Sequence, residues 1–297
     1  MTFSLLCLLL VGCGREEAPE PTAISTATPC PVPTVTMTEA PAPQLDYPEL
    51  AARLDGEELG QVYTVGETVF LPMHSLCDKL GFALSFEENE TGLEAMLGTL
   101  ELKAEAGQGY MNASGRYLYI PEGWIAADGG LWLSLDAACR LLGVNYNNTD
   151  AFMELDAAGA KLLHAGEDYY DIHFDMELVY WLPQIINAEA RGQPLEGMIA
   201  VGNVVMNRME SELFPERITD VLYDREYAIQ FEPVQNGSIK AQPDEMAYIA
   251  AWLCFEGYNM VEDCLYFVNP AYGSGWFDRD LQLYKAIGEH NFYRLKD

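Results

Sequence analysis

In the stretch "QIINAEARG", Gln184 to Gly192, one acid, Glu189, lies in an otherwise apolar helical run that a glycine ends. The dipole at a helix C-terminus disfavours a carboxylate, and so does loss of water, so both raise its pKa. A free Glu at about 4.3 is ~0.2% protonated at pH 7, whereas one raised to about 6 is ~9% protonated, at a cost of ~2.3 kcal/mol. A protonated carboxylic acid placed on a glycosidic oxygen is the usual use of such an arrangement, which makes Glu189 a candidate general acid. The plain alternative is a solvated glutamate near Arg191. Residues two apart on a helix do not face each other, so that ion pair is poorly placed.

A two-carboxylate glycosidase needs a partner acid at a defined separation, for which Glu196, Asp224, Glu226 and Glu232 are candidates. Gly192 and Pro194 interrupt any helical face shared by Glu189 and Glu196. A sugar groove needs planar amides and aromatic rings, because sugars offer hydroxyls to bond and flat CH faces to stack on. Gln230 and Phe231 in "AIQFEP", Tyr266 and Asn269 in "LYFVNP", and Trp276 are the candidate substrate-binding residues. Phe231 and Tyr266 could equally be core, and Asn269 a turn residue before Pro270. Asn203 and Asn207, four apart, are expected to satisfy buried backbone groups rather than touch sugar.

Other chemistries fit less well. Cys254 and His290 offer a Cys/His pair after residue 175, but Cys254 sits mid-helix among Trp252, Leu253 and Phe255, whereas activated thiols favour helix N-termini. There is no HExxH and the four histidines are scattered, so no metal site and no cofactor are expected.

Several helices must position these residues. "MELVYWLPQIINAEARG" is helical from about Met176, with apolar groups at Leu178, Leu182, Ile185 and Ile186. "PLEGMIAVGNVVMNRM" is apolar nearly all round and should run through the core. A third helix is predicted from Pro243 to Gly257. "CLYFVNP" reads as a strand, followed by a Gly/Ser loop to Trp276 and a strand region with Leu281, Leu283 and Ile287 in alternation.

Upstream, "FLPMHSLCDKLGFAL" from Phe70 and "WLSLDAACRLLGVNY" from Trp132 match in pattern 62 positions apart. Leu71 aligns with Leu133, Cys77 with Cys139 and Gly81 with Gly143. The pattern is a strand, a short amphipathic helix, a glycine C-cap and a second strand, used twice, with both cysteines as small core residues.

The first residues carry a short apolar core, Phe3 to Val11, leading through Gly12 to Cys13. That length suits a signal h-region rather than a spanning helix, which needs about 20 apolar residues. Residues 14–48 hold eight of the 16 prolines and read as a Pro/Thr-rich linker. Cys30, Cys77, Cys139, Cys254 and Cys264 form no evident disulfide framework, and pairing of Cys254 with Cys264 stays open. A net charge of -30 excludes nucleic acid and anionic lipid surfaces as partners.

Three resemblances accompany these motifs. The start resembles a bacterial lipoprotein signal with lipobox, implying lipidation at Cys13 and anchoring to the outer face of the cell membrane, although no Lys or Arg precedes Cys13. Residues about 60–156 resemble the copper amine oxidase N-terminal-like module, a duplicated stalk in which the lone His74 makes no copper site. From about Val179 to Tyr293, the pieces "YWLPQIINAEARG", "GMIAVGNVVMNR", "QFEPVQNGSI", "PDEMAYIAAWLCFEG", "LYFVNP" and "IGEHNFY" resemble, in order, the SleB-type cell wall hydrolases, the spore-cortex-lytic family.

The resemblances imply an α+β chain with a β-rich stalk and a lysozyme-like, mainly helical catalytic domain carrying a small antiparallel sheet. The expected boundaries are a signal over 1–13, the linker over 14–48, the stalk over 49–160 and the catalytic domain over 175–297. They also imply cleavage of the peptidoglycan glycan backbone, with Glu189 as catalytic acid, outside the cell in the wall. The rival function is a tethered wall-binding lipoprotein whose lysozyme-like domain is inactive. Spore cortex versus vegetative wall and the oligomeric state stay open.

Overall fold

The computed structural model describes residues 51–148, 152–163, 176–224, 231–272 and 275–296. Cys13, Cys30, Glu226, Gln230, the signal and the linker lie outside these residues. No described helix is long and apolar enough to cross a membrane.

The first part is built from thirteen strands and two helices. In chain order these are β1 (Ala51–Leu54), β2 (Glu57–Gln61), β3 (Tyr63–Val65), β4 (Thr68–Pro72), α1 (Met73–Leu80), β5 (Leu84–Asn89), β6 (Gly92–Leu97) and β7 (Leu100–Glu105). Then follow β8 (Tyr110–Ala113), β9 (Arg116–Tyr119), β10 (Trp124–Ala127), β11 (Gly130–Ser134), α2 (Leu135–Leu142), β12 (Asn145–Asn148) and β13 (Phe152–Asp156). They form sheets of order β12-β13-β1-β2, β10-β11-β4-β3 and β5-β6-β7-β8-β9. Strand β7 alternates buried and exposed residues, so one face of the meander is committed to the core.

The two matching segments fold alike, as β4-α1 and β11-α2, each helix closed by a left-handed glycine, Gly81 and Gly143. A side chain at Gly143 would meet the Lys161 carbonyl at 2.8 Å, so glycine is required there by space as well as by dihedral. Strands β4 and β11 pair antiparallel with Leu71 opposite Leu133, so equivalent positions of the two copies face one another. Cys77 and Cys139 are buried, and burial pushes each thiol up to about 12.

The second part contains α3 (Met176–Ala190), α4 (Leu195–Glu210), α5 (Ile218–Tyr223), α6 (Glu232–Asn236), α7 (Glu245–Phe255), β14 (Tyr266–Val268), α8 (Gly275–Asp280), β15 (Leu281–Ile287) and β16 (His290–Leu295). Helix α4 is buried along Gly197 to Val205, as its all-round apolar character requires. It crosses α3 and α7 closely at Gly202, where a Cβ would lie 2.7 Å from Cys254 Sγ and 2.9 Å from Ile186 Cδ1. Helix α7 begins at Glu245 rather than Pro243, because the Asp244 side chain accepts the Ala247 N–H at 3.0 Å and so caps it.

Strands β14, β16 and β15 make a three-stranded antiparallel sheet. Two sequence expectations need correction here. Leu283 is half exposed while Leu281 and Ile287 are buried, and a register shift between Leu283 and Lys285 breaks the alternation between Leu283 and Ile287. Trp276 lies on the short helix α8 and not in a loop.

Cys254 and Cys264 are both free and buried, so the possible disulfide between them is absent. The Cys254 thiol donates to the Ile199 carbonyl at 3.4 Å, while burial pushes the Cys264 thiol up to about 12.

The β-rich part and the helical part share buried polar contacts. Arg116 of β9 forks onto the Glu256 carboxylate beyond α7, with Nε to Oε1 at 2.9 Å, and both side chains are almost fully buried. Arg140 of α2 donates to the Glu256 carbonyl at 2.8 Å and stacks 4.2 Å from the Tyr258 ring centroid. Tyr119 donates to Glu196 at 2.8 Å.

Candidate functional site

Glu189 is half-buried in the last turn of α3, between the partly exposed Ala188 and the buried Ala190. The turn is fixed by its polar neighbours. Gln184, its amide nitrogen directed at them, reaches the Ile239 and Ala241 carbonyls at 2.8 Å. Asn187 accepts the Asp244 N–H at 3.2 Å. Arg191 pairs with Asp244 at 3.5 Å and leaves Glu189 to other partners. These contacts tie the end of α3 to the start of α7, so the Glu189 backbone is held from two sides.

A buried cation within electrostatic reach of Glu189 is Arg208, near the end of α4 and 4% exposed. Its Nε donates to the Leu265 carbonyl at 2.8 Å, and its guanidinium lies 4.9 Å from the Phe231 ring, 5.0 Å from Phe214 and 5.6 Å from Tyr266. One nitrogen, Nη1, is buried with no hydrogen-bond partner among the described residues. Burial lowers the Arg208 pKa to about 10, against the opposing charges of Tyr266, Asp224 and Glu189, so it stays a cation at neutral pH. A guanidinium in this apolar, ring-lined setting concentrates its field on the neighbouring carboxylates. Sequence reasoning passed over Arg208; the available signal was the one charged residue in "GMIAVGNVVMNR".

The candidate groove residues divide. Trp276 is 47% exposed and meets the half-buried Tyr266 edge to face, with ring centroids 5.9 Å apart. Together they form an aromatic wall, a surface of the kind on which sugar CH faces stack. Phe231 is 1% exposed and packs against Phe267 beneath Arg208. It belongs to the floor and offers no surface to a ligand, which corrects its assignment as a stacking residue. Asn269 accepts the Ala271 N–H at 2.9 Å, making the turn before the exposed Pro270–Tyr272 segment, and its amide nitrogen lies 3.4 Å from Glu289. Gln230 is outside the described residues.

Among the other acids, Glu196 is engaged by Tyr119 at the junction with the β-rich part, and Asp224 is half-buried at the end of α5 within the field of Arg208. Asn203 and Asn207 do serve backbone. Asn203 donates to the Tyr258 carbonyl and accepts the Met260 N–H, each at 2.9 Å, and Asn207 donates to the Cys264 carbonyl at 2.9 Å. They brace the chain that leads into β14 and therefore into Tyr266. No group of three or more His, Cys, Asp or Glu among the described residues is placed to hold a metal ion.

A family model described as Cell Wall Hydrolase matches residues 192–293. The match begins three residues after Glu189 and includes Arg208, Tyr266 and Trp276. The spore cortex-lytic enzyme of Bacillus subtilis (strain 168) is 34% identical over 147 residues, 49% of this chain and 45% of that protein. The spore cortex-lytic enzyme of Oceanobacillus iheyensis is 35% identical over 140 residues, 46% of this chain and 47% of that protein. The chain therefore spans just under half the length of these curated relatives. Among solved structures, the catalytic domain of the germination-specific lytic transglycosylase SleB from Bacillus anthracis is similar at 26% identity and a TM-score of 0.38, over 42% of this chain and all of that one.

Proposed function

We propose that the chain cleaves the glycan backbone of peptidoglycan between N-acetylmuramic acid and N-acetylglucosamine, as a lytic transglycosylase with Glu189 as general acid and base. One arrangement supports this reading: a half-buried carboxylate at the end of α3, within the field of the buried Arg208, whose guanidinium also lies 5.6 Å from Tyr266, the ring partner of Trp276. Similarity to a cell wall hydrolase family over residues 192–293 and to proteins named spore cortex-lytic enzyme supports it.

In the first step the protonated Glu189 gives its proton to the glycosidic oxygen as the bond to the muramoyl anomeric carbon breaks. In the second, the Glu189 carboxylate takes the proton of the muramoyl C6 hydroxyl while that oxygen bonds to the anomeric carbon. A 1,6-anhydro end results, no water is consumed and Glu189 is protonated again. Arg208 is positioned to stabilise the carboxylate formed between the two steps without rearranging, because its guanidinium is already held by the Leu265 carbonyl and three rings.

The same proposal covers the rest of the chain. Residues 1–13 act as a lipoprotein signal with Cys13 lipidated, 14–48 as a linker, 49–160 as a duplicated module and 175–297 as a lysozyme-like catalytic domain working in the wall. The test is incubation of the purified chain with peptidoglycan, with the released ends analysed by mass spectrometry. Anhydro ends are expected, with a loss of roughly 10²–10⁴-fold in Glu189→Gln. Reducing ends that incorporate oxygen from solvent would mean hydrolysis. Sedimentation with the wall without any release would mean a binding protein.

A further inference from the structure

A cleft of about 560 Å³ lies away from Glu189, which is not among its lining residues. It lies between the β6–β8 face and the first turns of α7, where Glu245 and Ile249 close one side. Its volume falls within the range of ligand sites, which often form where two parts of a chain meet. The walls are fixed in place by the Arg116–Glu256 and Tyr119–Glu196 contacts, so the cleft does not have to be assembled by its ligand.

We propose that this cleft is an additional subsite for the glycan strand, binding uncharged N-acetylated sugar residues outside the catalytic groove. The inference rests on the glycan-cleaving reading above.

Chemistry and position both support it. Tyr110 and Tyr117 are half-buried with ring centroids 6.0 Å apart, giving two aromatic faces at the cleft wall. Glu105 and Glu245 line the same cleft as Tyr110, whose pKa is raised by burial and by the charges of these two carboxylates. Gln108 donates to Glu105 at 2.7 Å and so orients it. Carboxylates and the amide of Asn112 are acceptors for sugar hydroxyls, and the tyrosine rings suit the CH faces. The cleft's cation, Lys103, has its ammonium on Glu101 at 2.8 Å, so the cleft offers acceptors to the hydroxyls of the strand's neutral N-acetylglucosamine units and no free ammonium to phosphate-bearing polymers.

Position adds continuity. Glu245 follows Asp244, whose backbone and side chain are held by Asn187 and Arg191, the residues on either side of Glu189. The cleft therefore begins beside the contacts that hold the catalytic turn, where a strand leaving one site can enter the other.

The test uses the full chain and peptide-free glycan, comparing long strands with a tetrasaccharide. Tyr110→Ala is expected to raise KM for long strands about five-fold with kcat little changed, the loss of one stacking contact, and Glu245→Gln to raise it about three-fold. The long-strand preference of the parent should shrink by the same factors. Tyr110 also packs on the helical core, so the exposed Glu245 variant carries the test if the tyrosine variant does not fold. Long-strand KM unchanged in the folded variants, or KM rising in parallel for both substrates, would overturn the subsite. If the parent cleaves no glycan, the catalytic reading fails by itself. Cosedimentation of the Glu189→Gln chain with long strands, with and without Glu245→Gln, then decides the subsite separately: weakened binding supports it and unchanged binding overturns it.

Discussion

Arg116→Met tests whether the β-rich and helical parts act as one unit. Arg116 and Glu256 are 5% and 3% exposed, and the pair is a two-armed fork with one arm at 2.9 Å. Removing the guanidinium leaves Glu256 ionised in a dry contact, next to the C-terminus of α7, whose dipole also disfavours it. Breaking a buried pair from one side costs about 3–5 kcal/mol, a large share of a typical stability of roughly 5–15 kcal/mol. Replacing both partners by apolar groups should cost far less, because no charge is then stranded. The assay is urea unfolding of the full chain followed by tryptophan fluorescence, for Arg116→Met, Glu256→Leu and the double variant. The single variants should lose about 3 kcal/mol or more, and the coupling energy in the double cycle should exceed about 1 kcal/mol. The single variants should also split one transition into two, since the pair joins two separate apolar clusters. Single losses below about 1 kcal/mol, or strictly additive losses, would refute the reasoning.

Three further outcomes are expected. Arg208→Gln should lower glycan cleavage by on the order of 10²-fold, as expected for losing a preorganised charge near the proposed acid, Glu189; reaction rates within two-fold of the parent would remove it from the mechanism. Asn203→Ala should cost about 1–3 kcal/mol in urea unfolding by leaving the Met260 N–H and Tyr258 carbonyl unpaired, and it should loosen the approach to β14. His290 is buried, and burial holds its pKa below the usual 6.5, partly offset by Glu289, so the unfolded chain binds the proton first. Its contribution to stability is therefore complete above about pH 6.5 and is lost as pH falls from there towards the lowered folded value; the slope of the urea midpoint over this range should flatten in His290→Phe, and an unchanged slope would exclude it.

Much of the helical scaffold was legible because its signals are local. The run from Met176 to Ala190, the all-round apolar α4 and the glycine stops at Gly192 and Gly257 each follow from residues within a few positions of one another. The backbone roles of Asn203 and Asn207 were also readable, since an amide on an apolar helix must find a partner. The same local rules do not say which aromatic is floor and which is wall: Phe231 and Trp276 look alike as sequence, and only packing beneath Arg208 buries one and leaves the other half exposed.

The sequence by itself determined the courses of α3, α4 and α7 to within a few residues, which two upstream segments match in pattern, and which acid stands at the end of α3. Only the tertiary structure decided that Arg208 lies within electrostatic reach of that acid, that Glu196 is occupied by Tyr119, and that the β-rich part is joined to the helical part by a buried ion pair. Helix periodicity and capping depend on neighbours within about five positions, which any stretch of chain carries with it. Charge pairing and burial depend on groups up to 140 positions apart, as Arg116 is from Glu256, and their separation is set only when the chain closes on itself.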